Sequence, residues 1–212
     1  MYSRTLEEPF FQDPFSPGKQ YLDKLEELYE TGIQLAGEKL SLFLMENTET
    51  ELTGFFSLPF SSLLYQLQHG MVKKTGVHSR INGEVRGELY LCLTMENAVT
   101  IINRGLKRRK KTLPITSFEE SFLSEIANIL INTLWSVLQK EITIGWRLTP
   151  PVFVPDILKS LRLAGKIYTP DRRALFAEIG SNRPEFLMEL IFIPVEHSWD
   201  PFLENLIEIN RS

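Results

Sequence analysis

Apolar and polar positions along this chain switch between a helical period and a strand period, and the order in which they switch is written twice. Over 21–43 the apolar residues Leu25, Leu28, Ala36 and Leu40 recur at helical spacing, which predicts an amphipathic helix after the turn-forming Asp13-Pro-Phe-Ser-Pro-Gly stretch. An extended stretch ending at Leu58-Pro59 follows, then a short helix over 60–67, then strand-like runs over 77–81 and 84–93. Asn82-Gly83 between those runs predicts a hairpin turn, because both residues tolerate positive φ. A helix over 95–106 closes this half. The second half repeats the order: a long helix over 117–139, an extended run over 142–148, Val154-Pro155 and a short helix over 156–163. Strands over 173–179 and 185–192 then flank a turn at Gly180, and a closing helix is expected over 199–209. Ser117 and Glu120 have capping-box spacing at the start of the long helix.

Laying Leu58-Pro59 on Val154-Pro155, and Asp23 on Ser121, aligns the halves with small gaps. The expectation is one α/β (α+β) domain over 1–212, built by duplication of a helix–strand–short helix–hairpin–helix unit. Repeat one spans about 20–106, a basic linker 107–114 and repeat two 117–212. The hairpins should join in an antiparallel-rich sheet with the long helices on one face.

Projected at about 100° per residue, the helix over 117–139 has a wide apolar arc that includes Leu123, Ile126, Ala127, Leu130 and Leu134. The opposite arc is a polar stripe with Ser121, Ser124, Glu125, Asn128, Asn132, Ser136 and Gln139, interrupted by Trp135. Glu125 and Asn128, three apart, project side by side. Ser121, Glu125, Asn128 and the later Pro151 fit the pattern (Asp or Ser)-x3-Glu-x2-Asn-x22-Pro. That spacing resembles the CheC/CheX/FliY family of chemotaxis phosphatases, which remove phosphate from the aspartate of the response regulator CheY.

The resemblance implies a CheC-like pseudo-twofold domain and an aspartyl-phosphate protein phosphatase. Such a helper needs little chemistry of its own. The regulator supplies Mg²⁺ and a lysine, and what is missing is an attacking water held in line with the phosphorus. A neutral amide, both donor and acceptor, suits that task. The resemblance gives Glu125 the role of pairing with the regulator's lysine and Asn128 that of orienting the water. Ser121 and Pro151 support the motif, with Pro151 shaping the segment after the helix. Asn132 stands where family members commonly carry Gly, and with Trp135 it is a candidate partner contact. In the first half the corresponding residues are Asp23, Glu27 and Glu30, so the amide has become a carboxylate. That half-site is read as inactive, because its charge opposes a phosphoryl group.

Composition narrows the partners. A net charge of −4 with a pI near 5.5 gives no general attraction to nucleic acid or anionic membrane, and Lys107–Lys111 reads as a solvated linker. The first residues lack the apolar core of a signal peptide, and the single cysteine, Cys92, can form no internal disulfide and reads as a buried strand residue, so the expected location is the cytoplasm. His69, His78 and His197 lack ligand spacing. No cofactor is expected on this chain, and Mg²⁺ would arrive with the phosphorylated CheY-like regulator. A monomer is expected, with a homodimer as the alternative. The rival function is a non-catalytic docking module of the flagellar-switch type, against which the retention of both Glu125 and Asn128 argues.

Overall fold

Both long helices form where the 3.6-residue period ran longest, α1 over Lys19–Leu44 and α4 over Ser117–Glu141. The computed structural model describes residues 19–70, 72–108, 114–141, 145–164 and 172–195. The turn at 13–18, most of the basic linker, His197 and the closing helix expected at 199–209 lie outside the described residues. Between the long helices come β1 (Thr50–Pro59), α2 (Phe60–His69), β2 (Lys74–Gly83), β3 (Gly87–Thr94) and α3 (Met95–Gly105). After α4 follow β4 (Trp146–Leu148), β5 (Val152–Val154), α5 (Ile157–Ala164), β6 (Arg173–Ser181) and β7 (Met188–Pro194).

Among the described residues the strands make one seven-stranded sheet in the order β1-β6-β7-β3-β2-β4, with β5 also paired to β2, and every pairing is antiparallel. The order is palindromic: the two hairpins, β2–β3 and β6–β7, meet at the centre through β3 and β7. Each half gives its first strand to the other half's hairpin, β1 to β6 and β4–β5 to β2.

Helices α1, α3 and α4 cover one face of the sheet, and α2 and α5 the other. The arc projected as apolar on α4 is core as expected: Ala127, Leu130 and Leu134 are all 0 % exposed. Burying one such leucine is worth about 1.5–3 kcal/mol relative to exposure, so this face fixes the helix on the sheet. By length and composition alone α4 is apolar enough to cross a bilayer, but here it is a core helix. α1 and α4 run antiparallel, with Phe43 stacked on Phe122 at one end (5.5 Å) and Tyr29 edge-on to Trp135 at the other (6.5 Å). Cys92 is buried on β3.

The first hairpin departs from the expected two-residue turn. Ile81 pairs with Gly87, so the connection is 82–86, although Gly83 does take positive φ (131°). Two contacts explain the longer loop: Val85 is buried at 1 % exposure, and Asn82 and Gly83 continue as a strand to pair with Arg147 and Trp146. In the second hairpin Pro184–Phe186 forms a 3-10 turn, because Phe186 inserts into the core, and β7 starts only at Met188.

Candidate functional site

The start of α4 is set by Thr116 and Glu119, one residue earlier than the Ser117–Glu120 box. The Thr116 carbonyl accepts from the N–H groups of Glu119 and Glu120 (both 2.9 Å). Glu119 reaches back so that its carboxylate accepts from the Thr116 N–H (2.7 Å) and hydroxyl (2.6 Å). Arg108 from the linker donates to the other oxygen at 2.6 Å. The choice follows from the faces of the helix: Glu119 points inward and is 0 % exposed, whereas Glu120 lines the outer groove.

From that fixed start, helical spacing stacks Ser121, Glu125, Asn128 and Asn132 along one stripe. Ser121, Glu125 and Asn132 are exposed and Asn128 is half-buried. The Ser121 hydroxyl donates to the Ser117 carbonyl (3.0 Å), within its own helix. Among the described residues the Glu125 carboxylate has no ion-pair partner. The Asn132 amide donates to the Asn128 side-chain oxygen (2.5 Å) and to its backbone carbonyl (2.9 Å). One carbonyl lone pair of Asn128 is thereby occupied, its rotamer is fixed, and its NH₂ end has no partner among the described residues.

The facing wall is the β4–β5 edge. Ile81 pairs with Leu148 and His78 with Val152, so 149–151 stand opposite only 79 and 80, one residue more than a regular ladder holds. The bulge is Thr149-Pro150-Pro151. Prolines have no N–H to give a ladder and are accommodated at such edges. Thr149 latches the bulge to β2: its N–H donates to the Arg80 carbonyl (2.9 Å), its hydroxyl accepts from the Arg80 N–H (2.8 Å), and its carbonyl accepts from the Ser79 hydroxyl (2.7 Å). Pro151 is therefore held across an open groove of about 710 Å³ from Glu125 and Asn128. Thr149 was not singled out from the sequence; a hydroxyl residue directly before Pro-Pro was the available signal.

Trp135 corrects the partner-contact expectation. It shares the stripe with Asn128 but is only 3 % exposed. At its level the helix is covered by α1 and the sheet, and the indole packs on Phe192 (5.8 Å), Trp146 (6.2 Å) and Tyr29 (6.5 Å). Asn132 does stay exposed beside the groove. In the first half Asp23, Glu27 and Glu30 all project from α1 as read, with Lys24 paired to Glu27 (2.9 Å).

No protein-family model matches the chain, and no curated protein matches it. Solved structures do. FliY of Thermotoga maritima superposes with a TM-score of 0.69 at 12 % identity, covering 90 % of this chain and 98 % of its own. FliM from the H. pylori FliM–SpeE complex gives 0.69 at 11 %, covering 91 % and 97 %. The CheX protein of Desulfovibrio desulfuricans gives 0.55 at 11 %, covering 81 % and 99 %. At these identities the likeness is one of fold: the chain has the fold shared by FliY, the FliM middle domain and CheX, which is the fold the motif implied.

Proposed function

We propose that this protein is a phosphatase for the aspartyl phosphate of a CheY-like response regulator, working through Glu125 and Asn128. What supports the reading is the pairing, on one open stripe, of a carboxylate without an ion-pair partner among the described residues and a half-buried amide whose rotamer is fixed by Asn132. The groove holds Glu120 and Glu125 and suits a partner that brings a cation to it. Glu125 pairs with the regulator's active-site lysine. Asn128 holds a water in line with the phosphorus, and its neutral amide adds no negative charge beside the phosphoryl oxygens. Mg²⁺ and the phosphoryl group both belong to the regulator, and the phosphoryl group leaves as inorganic phosphate when the water oxygen bonds to phosphorus and the P–O bond to the aspartate breaks. In this reading the chain acts as a monomer in the cytoplasm.

The second reading, a docking module without catalysis, is favoured by one observation: the fold likeness to FliM, solved in complex with SpeE and with FliG, is as strong as that to FliY. Phosphate release from phosphorylated CheY-like regulators separates the two. Added wild-type protein should accelerate it, and Asn128→Ala and Glu125→Ala should each lose that acceleration by about 10²-fold, the scale of a misplaced reacting group. A regulator that binds the protein yet keeps its phosphate at the unassisted rate refutes the phosphatase and leaves the docking module.

A further inference from the structure

The two halves use the same parts to set different distances between helix and edge strand. With Asp23 laid on Ser121 and Leu58-Pro59 on Val154-Pro155, Gly37 takes the place of Trp135, and Thr50 that of Trp146. The registers agree, because the extra residue in β1 is Thr53, at the place of Thr149 in the second half's bulge. In the first half helix and strand touch. A Cβ on Gly37 would stand 2.8 Å from the Thr50 nitrogen, and the Thr50 hydroxyl donates to the Ile33 carbonyl at 2.5 Å. In the second half both places are tryptophan, with ring centroids 6.2 Å apart. Ser41, which reaches the Thr48 carbonyl at 3.0 Å, is matched by Gln139, whose longer amide spans to the Trp146 carbonyl at 3.3 Å.

A second exchange lies at the level of the motif. Tyr29 and Phe55 stack at 4.9 Å between α1 and β1. Their counterparts, Ala127 and Pro151, are small: Pro151 lines the groove, and Ala127 is buried on α4, the helix that forms its other wall.

We propose that the Trp135–Trp146 pair is a wedge that holds α4 off the edge strand and so creates the groove that takes the regulator, while Tyr29 and Phe55 plug the corresponding place in the first half. The identification of the occupant rests on the function proposed above; the wedge itself does not. Trp135 and Trp146 are thus positioning residues. One chain takes one regulator, and restoring the motif amide with Glu30→Asn does not make the first half bind.

The wedge is read without any partner, from spin labels at Ser117→Cys and Val152→Cys, which flank the groove. In Trp135→Ala the label distance narrows by about 2 Å, the span over which interhelical and similar packing distances respond to side-chain size, and in Trp135→Phe it stays near the wild-type value. An unchanged distance in folded Trp135→Ala overturns the wedge. If Trp135→Ala does not fold, Trp146→Leu carries the same test. Calorimetric titration with a beryllofluoride-activated regulator adds the functional arm. Trp135→Ala should weaken binding about tenfold or more and Trp135→Phe should restore it; with the phosphorylated regulator as substrate the same loss should appear as a raised KM with kcat at saturation little changed. Grafting the plug with Pro151→Phe should also weaken binding. Two regulators bound per chain in Glu30→Asn, or undiminished binding in Trp135→Ala, overturns the proposal. Failure of wild-type protein to bind any activated regulator overturns the occupant alone, since the label distances still decide the wedge.

Discussion

Replacing Glu119 by alanine removes the anchor of the motif helix, and its cost can be worked from the contacts. The carboxylate is fully buried and accepts from the Thr116 N–H at 2.7 Å, the Thr116 hydroxyl at 2.6 Å and Arg108 at 2.6 Å. Losing a helix cap costs about 1 kcal/mol, and losing a charge-assisted bond about 1.5–3 kcal/mol. Glu119→Ala should therefore destabilise by about 2.5–4 kcal/mol. At about 2–4 °C per kcal/mol for a chain of this size, Tm should drop by about 10 °C. Glu119→Gln keeps an acceptor for the Thr116 N–H but loses the charged pair with Arg108, and should fall about halfway. Thermal and urea melts followed by circular dichroism measure both. A Glu119→Ala protein within about 0.5 kcal/mol of wild type would refute the anchoring, since that is the size of a neutral surface change.

Thr149→Val keeps the shape of the bulge but leaves the Arg80 N–H without its 2.8 Å acceptor, so stability should drop by about 1–2 kcal/mol and the Arg80 amide should exchange faster with deuterium; unchanged exchange at Arg80 would sink the latch. Glu88 concerns acid stability: burial opposes its ionisation, but its hydrogen bond with His78, and the charges of His78 and Arg80, outweigh that and hold it below the ordinary glutamate range. A depressed carboxyl contributes stability above its unfolded value and loses it as pH falls through the folded one, so the acid limb of the stability curve below about pH 4.5 should flatten in Glu88→Gln; an acid limb as steep as that of wild type counts against the pairing. Burial pushes the Cys92 thiol up, so alkylation at pH 8 should be slow in the native protein and fast in urea, and rapid native labelling would contradict its place in the core.

Most of the helical architecture could be read from the sequence because an apolar arc sustained over more than twenty residues leaves one way to bury a helix. The stripe holding Ser121, Glu125 and Asn128 followed from the same projection. Trp135 did not, because a projection treats the helix as alone, and burial depends on what lies above each turn. Two turns past Asn128 that cover is Tyr29 from the other half and Phe192 from the last described strand. The cap was misread by one residue because Thr116 and Ser117 each precede a glutamate at the right spacing, and only the inward face separates Glu119 from Glu120. The exchange of first strands between halves was not legible at all, since alternation says which residues face the core and nothing about which strand lies alongside.

That exchange gives the first half a task independent of its own motif. The groove's second wall is the bulge at Thr149-Pro150-Pro151, and everything that holds Thr149 in place, the Ser79 hydroxyl and both backbone groups of Arg80, comes from β2 of the first half. Tyr29, which occupies the first half's own cleft with Phe55, also packs edge-on against Trp135. A chain built this way can replace the amide at Glu30 and fill the space above it without losing the second groove. It cannot shed the first half, because β2 aligns the proline wall with Glu125 and Asn128. Substitutions at Asp23, Glu27 and Glu30 should therefore leave the second site intact, whereas a change at Ser79, far from the motif in sequence, reaches it through the Ser79 hydroxyl, which donates to the Thr149 carbonyl at 2.7 Å and lies 3.5 Å from the Thr149 hydroxyl.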